Sequence, residues 1–177
     1  MNKIIRKIQY SEKVYRFDVE APLIAKSRKA GNFVIIRVDA NSERMPLTIA
    51  DADIEKGTIT LVVQKVGLSS TKLCNLNEGD EIHDVVGPLG NPTHIENFGT
   101  VLCAGGGVGV APMLPIIKAL KAAGNRVLSV IAGRSKDLVI MEDEVRASSD
   151  ELIIMTDDGS YGEKGVVTVG MEKLIQQ

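Results

Sequence analysis

VLCAGGGVGVAPM, residues 101–113, sets three kinds of local pattern end to end. Val101 to Ala104 is a short apolar run of the kind that forms a buried strand. Gly105, Gly106, Gly107 and Gly109 follow, broken only by Val108. Met113, Leu114, Ile117 and Leu120 then recur at helical spacing, and Gly124 closes a helix predicted over 112–123. Strand, glycine turn and helix bring bare backbone N–H groups and the positive end of a helix to one point, where a phosphate can be received. The spacing is neither the usual dinucleotide fingerprint nor a phosphate loop with its Lys. Alone, the stretch is equally readable as a structural glycine turn.

Downstream the same pattern continues. Arg126–Ala132 is a second strand, Asp137–Ala147 a second helix, Glu151–Thr156 a third strand and Thr168–Gln176 a last helix. Fully apolar strands alternating with helices predict a parallel sheet covered on both faces, a Rossmann-like nucleotide domain. Upstream the pattern is all-β. Ile4–Gln9, Val14–Val19, Asn32–Val38, Thr58–Val66 and Glu81–Val85 are short strands separated by turns, with one short helix over Ser70–Asn75. This spacing predicts an antiparallel Greek-key β-barrel. The boundary falls near Glu96–Gly99, which gives domains of residues 1–97 and 98–177.

Bulk properties exclude several classes. The 177 residues carry a net charge of −2, with 13 basic and 13 acidic groups up to residue 97 and 8 and 10 beyond it. No basic face is implied, so nucleic acid is not an expected partner. No apolar run approaches the ~20 residues of a membrane span, and MNKIIRKIQY is too short and polar for a secretory signal. A cytoplasmic location is expected. Cys74 and Cys103 form no CxxC pair, and His83 and His94 share no ligand spacing, so no metal site is expected. Glu142-Asp143-Glu144 is a solvated helix face. No Ser–His–Asp or paired-carboxylate arrangement presents itself, and no catalytic side chain is assigned.

Three further motifs carry chemistry. In Arg44-Met45-Pro46-Leu47-Thr48-Ile49 the guanidinium can pair bidentately with the oxygens of an anion, and the Thr48 hydroxyl can hydrogen-bond. The plain alternative is an Arg at a strand end before a Pro turn. Gly67-Leu68-Ser69-Ser70-Thr71 opens the short helix, and its hydroxyls serve equally as helix caps or as phosphate donors. Asp157-Asp158-Gly159-Ser160-Tyr161-Gly162 follows the third strand at the carboxyl edge of the sheet, where α/β ligands bind, and is also a ready Asp-Gly turn.

A barrel followed by a βαβ domain, with these motifs in this order, resembles the flavin reductases of the ferredoxin–NADP reductase class. RMPLTIA, VGPLG, GGGVGVAP and TDDGSYGEKG are most similar to the small FAD subunit of NADH-dependent ferredoxin–NADP oxidoreductase and sulfide dehydrogenase, a sibling of the dihydroorotate dehydrogenase electron-transfer subunit. The resemblance spans essentially the whole chain. It implies FAD on Arg44, Met45, Pro46, Leu47, Thr48, Gln64, Lys65, Val66, Ser69, Ser70 and Thr71. It implies NAD(P)H, with NADH favoured, on Gly105, Gly106, Gly107, Val108, Gly109, Arg134, Asp157, Asp158, Gly159 and Ser160. Gly87-Pro88-Leu89-Gly90 would close the barrel.

The implied function is flavin-dependent electron transfer, as an oxidoreductase subunit, between NAD(P)H and a larger subunit of glutamate-synthase-like or dihydroorotate-dehydrogenase-like type. Ferredoxin is a further candidate partner. Two departures qualify the match. The family's [2Fe–2S] centre needs about four thiolates, and two cysteines upstream of that region cannot supply them, so this centre is expected to be absent. The later strands, with the Cys-Gly-Pro segment that faces the nicotinamide, have no counterpart. The chain therefore resembles the leading part of a longer subunit: a split gene product, a truncation or a short form with an open, association-prone first strand. A non-catalytic flavin- or nucleotide-binding module completed by a partner, and a stand-alone flavin reductase, remain as alternatives.

Overall fold

A computed structural model describes residues 2–176. They divide into two units, one ending at Thr93 and the next beginning at His94, inside an irregular connection of residues 91–98.

The first unit is one antiparallel sheet of β1 (Asn2–Gln9), β2 (Val14–Glu20), β3 (Phe33–Arg37), β4 (Met45–Asp53), β5 (Thr58–Gln64), β6 (Glu81–Ile82) and β7 (Asp84–Leu89). The order is β6-β1-β2-β5-β4-β3-β7. Only His83 separates the two outer strands in sequence, so the sheet curls until its ends nearly meet. Two helices, α1 (Pro22–Ser27) and α2 (Leu68–Asn75), complete the unit. Strand β5 lies mid-sheet and is buried from Thr58 to Val63, which explains its unbroken TITLVV run. Ile4, Phe17, Val34, Ile36, Ile59, Leu61, Leu73 and Ile82 are each fully buried in the core. Each contributes roughly 1.5–3 kcal/mol through removal from water.

The barrel differs from expectation in three places. Helix α1 was not predicted, because six residues beginning at a Pro are too short to show a helical period. Glu81–Val85 is two strands rather than one, and β7 continues through Gly87-Pro88 to Leu89, so most of the VGPLG stretch is itself strand. An added Cβ at Gly87 would come within 2.7 Å of Val34 Cγ1, which explains a glycine in mid-strand. Finally, Met45–Asp53 is a full strand. Pro46 lies opposite Ile35 on β3, at a point where β4 has no second neighbour and an absent N–H costs nothing.

The second unit is a parallel sheet of β8 (Thr100–Gly106), β9 (Arg126–Gly133), β10 (Glu151–Thr156) and β11 (Glu163–Lys164), in the order β11-β10-β9-β8. Helices α3 (Val110–Ala122) and α5 (Val167–Ile175) cover it. Leu174 of α5 packs on the Leu128, Val130 and Ala132 face of β9. Seven of the eight β9 residues are buried, as a central parallel strand requires. The predicted helix over 137–147 is interrupted. A 3₁₀ turn (Lys136–Leu138) is followed by Ile140 and Met141, both turned into the core, and only then by α4 (Glu142–Ala147). β11 is a two-residue strand too short to have a sequence signal. Among the described residues no helix is long and apolar enough to cross a membrane.

Strand β8 pairs with β9 alone among the described residues, so its other edge presents free N–H and C=O groups. Such an edge templates pairing with another chain. The polypeptide purified alone is expected to self-associate through it, seen as a dimer in sedimentation velocity. A monodisperse monomer at high concentration would rule this edge out as the association surface.

Candidate functional site

In the first unit, β4 changes partner along its length. Met45–Thr48 pair with Ile36–Phe33 of β3, whereas Ile49–Asp53 pair with Leu61–Thr58 of β5. The β4–β5 ladder ends at Ile49–Leu61. Beyond it Met45–Thr48 and Val62–Gln64 no longer pair with one another, and the barrel wall parts there. Met45 and Leu47 pack on the core, Thr48 is half-buried, and Pro46 and Gln64 are exposed. Arg44, at the start of this segment, is exposed, and among the described residues its guanidinium has no hydrogen-bond or ion-pair partner.

Helix α2 begins at the same end of β5. Its N-cap, Gly67, has open space where a Cβ would stand. The buried Ser70 hydroxyl accepts the N–H groups of Val66 and Gly67 at 3.0 and 2.9 Å, so this serine is occupied as a cap. The Lys65 N–H donates to the Lys13 carbonyl. Ser69 and Thr71 are half-buried with unengaged hydroxyls among the described residues. Val66 and Leu68 are 78% and 75% exposed, an apolar pair beside the parted strands. Leu68 escaped the sequence reading; an apolar residue in a first helical turn is its only signal.

The loop between β3 and β4 is tied to α2. Lys72 Nζ donates to Asp39 Oδ2 at 3.0 Å and to Ser42 Oγ at 3.3 Å, and the Asn41 N–H donates to Asp39 Oδ1 at 2.9 Å. Lys72, then Ser42 and the Asn41 N–H, hold the Asp39 carboxyl down to about 2. A depressed acid contributes fully above its ordinary value and fails only as pH falls through the depressed one, so on the acid side the carboxylate half of this bridge is intact down to pH ~4.

In the second unit the carboxyl ends of three parallel strands fall level: Gly106 lies beside Ala132 and Gly133 beside Thr156. The loops that follow converge at this edge. After β8, a 3₁₀ turn (Gly107–Gly109), which includes Val108, leads into α3. Gly107 adopts φ +52, and no atom stands within 4 Å of a Cβ at Gly107 or Gly109. Gly105 is different: a Cβ there would press on the Gly109 carbonyl and Met113, so this glycine closes the turn.

After β9, Arg134 is exposed, and its side chain has no partner among the described residues. After β10, the exposed Asp157, Asp158, Gly159 and Ser160 form a tight turn. Ser160 Oγ accepts the Lys136 N–H at 2.9 Å, Asp158 Oδ1 accepts the Ser160 N–H at 2.8 Å, and the Asp158 N–H donates to the Arg134 carbonyl at 3.2 Å. Ser160 thereby holds the Asp158 carboxyl below its usual range. Two of the predicted contacts are thus also the fasteners that set this loop on its neighbour. Tyr161 adds another, its phenol donating to Glu142 at 2.9 Å while Lys136 Nζ lies 5.3 Å from its ring centroid.

Cys74 is on the buried face of α2 and Cys103 lies in β8, and burial pushes both thiols up. Among the described residues no three His, Cys, Asp or Glu side chains converge as metal ligands. The donors fit nucleotide chemistry instead. A free Arg beside a helix N-terminus with open space suits a pyrophosphate, and a side-chain-free cradle at a second helix N-terminus suits another.

No family model matches the chain. It is 49% identical over 177 residues to a dihydroorotate dehydrogenase B (NAD(+)) electron transfer subunit homolog of Thermotoga maritima, covering 100% of this chain and 62% of that one. It is 32% identical over 180 residues to the dihydroorotate dehydrogenase B (NAD(+)) electron transfer subunit of Streptococcus pneumoniae, covering 99% of this chain and 69% of that one. Among solved structures, a chain of the NADH-dependent reduced ferredoxin–NADP oxidoreductase, studied for flavin-based electron bifurcation, superimposes with a TM-score of 0.95 at 45% identity, over 100% of this chain and 64% of that chain. The chain thus spans less than two thirds of the Thermotoga relative and of that structure.

Proposed function

This chain belongs to the family of dihydroorotate dehydrogenase B electron-transfer subunits, and from that premise we propose that it holds FAD in its first unit and NADH in its second and passes electrons to a larger partner subunit. The observation that carries this reading is the parting of β4 from β5 beside the unpartnered Arg44 and the N-terminus of α2. Arg44, the first-turn N–H groups of α2, Ser69 and Thr71 hold the pyrophosphate of FAD, with Ser70 fixing the turn. The released backbone edges of Met45–Thr48 and of Gln64 bond the ring system, Lys65 and Val66 line it with their N–H groups already engaged, and Val66 and Leu68 shield it from water. Gly106, Gly107, Val108 and Gly109 receive the pyrophosphate of the pyridine nucleotide; Arg134 and the Asp157–Ser160 turn hold its adenosine end.

Bound flavin supplies the electron exchange with a nicotinamide; the chain supplies position and electrostatics. That division of labour fits a site without an acid–base pair. NADH is preferred to NADPH on the NAD(+) in the names of the relatives. The partner is of dihydroorotate-dehydrogenase-like or glutamate-synthase-like type, met in the cytoplasm.

The test is an anaerobic titration. The purified chain is expected to be yellow, to release FAD on denaturation, and to bleach with NADH. A protein that binds neither flavin nor nucleotide overturns the reading. Gly106→Val sharpens the test, because φ −123 and ψ 141 suit Val and the only atom near its Cβ is the Ala132 carbonyl oxygen at 3.8 Å. It should weaken NADH binding at least tenfold, about 1.4 kcal/mol, with flavin content and melting unchanged.

A further inference from the structure

The bridge of Lys72 to Asp39 and Ser42 joins two segments that are far apart in sequence but serve one ligand. Ser42 lies two residues before Arg44, and Lys72 lies three after Ser69, on the same side of α2. Two residues of chain span at most about 7 Å, so fixing Ser42 against Lys72 fixes where Arg44 stands relative to the first turn of α2. Both oxygens of Asp39 are committed: Oδ1 turns the loop through the Asn41 N–H, and Oδ2 ties it to α2.

We infer that Lys72, Asp39 and Ser42 form a clamp that holds Arg44 and the α2 N-terminus at the separation a pyrophosphate requires. They are positioning residues, and the inference rests on the flavin reading above. Lys72 and Asp39 are 37% and 47% exposed, and an ion pair this open adds little to folding stability. Its effect falls on binding instead: a loop already fixed loses less freedom when the ligand arrives. A rival role, Lys72 as a direct phosphate contact, makes the opposite forecast for Asp39. Removing Asp39 would then free the lysine and tighten binding.

The experiment titrates FAD into flavin-stripped protein by fluorescence quenching, for wild type, Lys72→Met, Asp39→Asn, the double variant and the charge-swapped pair Asp39→Lys with Lys72→Asp. Melting of the stripped protein is measured in parallel. The clamp predicts that each single change raises the FAD dissociation constant about fivefold. It further predicts that the double change is no worse than either single, that the swapped pair recovers part of the loss, and that melting is unmoved. Tighter binding by Asp39→Asn, additive losses, unchanged affinity, or melting that falls in step with affinity each overturns the inference while leaving the flavin reading intact. A wild-type chain that takes up no FAD overturns the flavin reading and the clamp with it.

Discussion

Arg44→Ala is expected to yield folded protein that purifies with little or no flavin. The guanidinium is exposed and bonded to nothing among the described residues, so its removal leaves no buried group unpaired and costs the fold little. Its whole value lies in what it can bind. A bidentate, charge-assisted contact to phosphate oxygens is worth on the order of 2–4 kcal/mol, or roughly 30- to 900-fold in affinity. The ratio of flavin to protein absorbance reports the loss, and the melting temperature shows that it is not a folding defect. Arg44→Lys keeps the charge but loses the planar fork, so partial retention is expected. Unchanged flavin stoichiometry in Arg44→Ala would count decisively against this site.

What the sequence revealed, and what it hid, follows the range of the forces involved. The run TITLVV and the glycine stretch after Ala104 were legible because burial and turn chemistry are written in neighbouring residues. Helix α1 and β11 were not, since six and two residues are shorter than the period that would betray them. The break in the predicted 137–147 helix comes from tertiary pull on Ile140 and Met141, which a local pattern does not carry. At the site, Arg44 and Ser69 were legible as chemical types, but the sequence left open whether Ser70 caps the helix or meets the ligand. Its two accepted N–H bonds show the cap. The parting of β4 from β5 and the bridge from Lys72 to Asp39, 33 residues apart, exist only once the strands are paired.

The turn between β10 and β11 carries the largest effect expected on stability. Parallel neighbours ordinarily need a crossover of about a dozen residues or more, yet here residues 157–162 suffice. Gly162 makes this possible at φ +63, packed directly against the carbonyl of Ile154, whose carbon would lie 2.9 Å from an added Cβ and whose oxygen would be overlapped. Gly162→Ala therefore meets a left-handed backbone, about 1–2 kcal/mol for an L-residue, and a collision with strand backbone that has no rotamer to retreat into. The turn cannot simply shift outward. Thr156 Oγ1 donates to the Tyr161 carbonyl, Tyr161 donates to Glu142, and Lys136 donates to Ser160, so movement at 162 strains the loops after both β9 and β10. A loss on the order of 3–5 kcal/mol is expected, large against a domain stability of roughly 5–15 kcal/mol. Gly159→Ala is the milder control: it carries the same left-handed backbone cost, but its Cβ meets only Lys164 side-chain carbons at 3.2–3.4 Å, a contact that a shift of a few tenths of an ångström relieves. Differential scanning calorimetry of Gly162→Ala should show the second unit melting early and NADH binding lost, while flavin stays bound by the first unit. Wild-type melting would mean that the turn tolerates a side chain. Simultaneous loss of flavin would mean that the two units do not hold their cofactors independently.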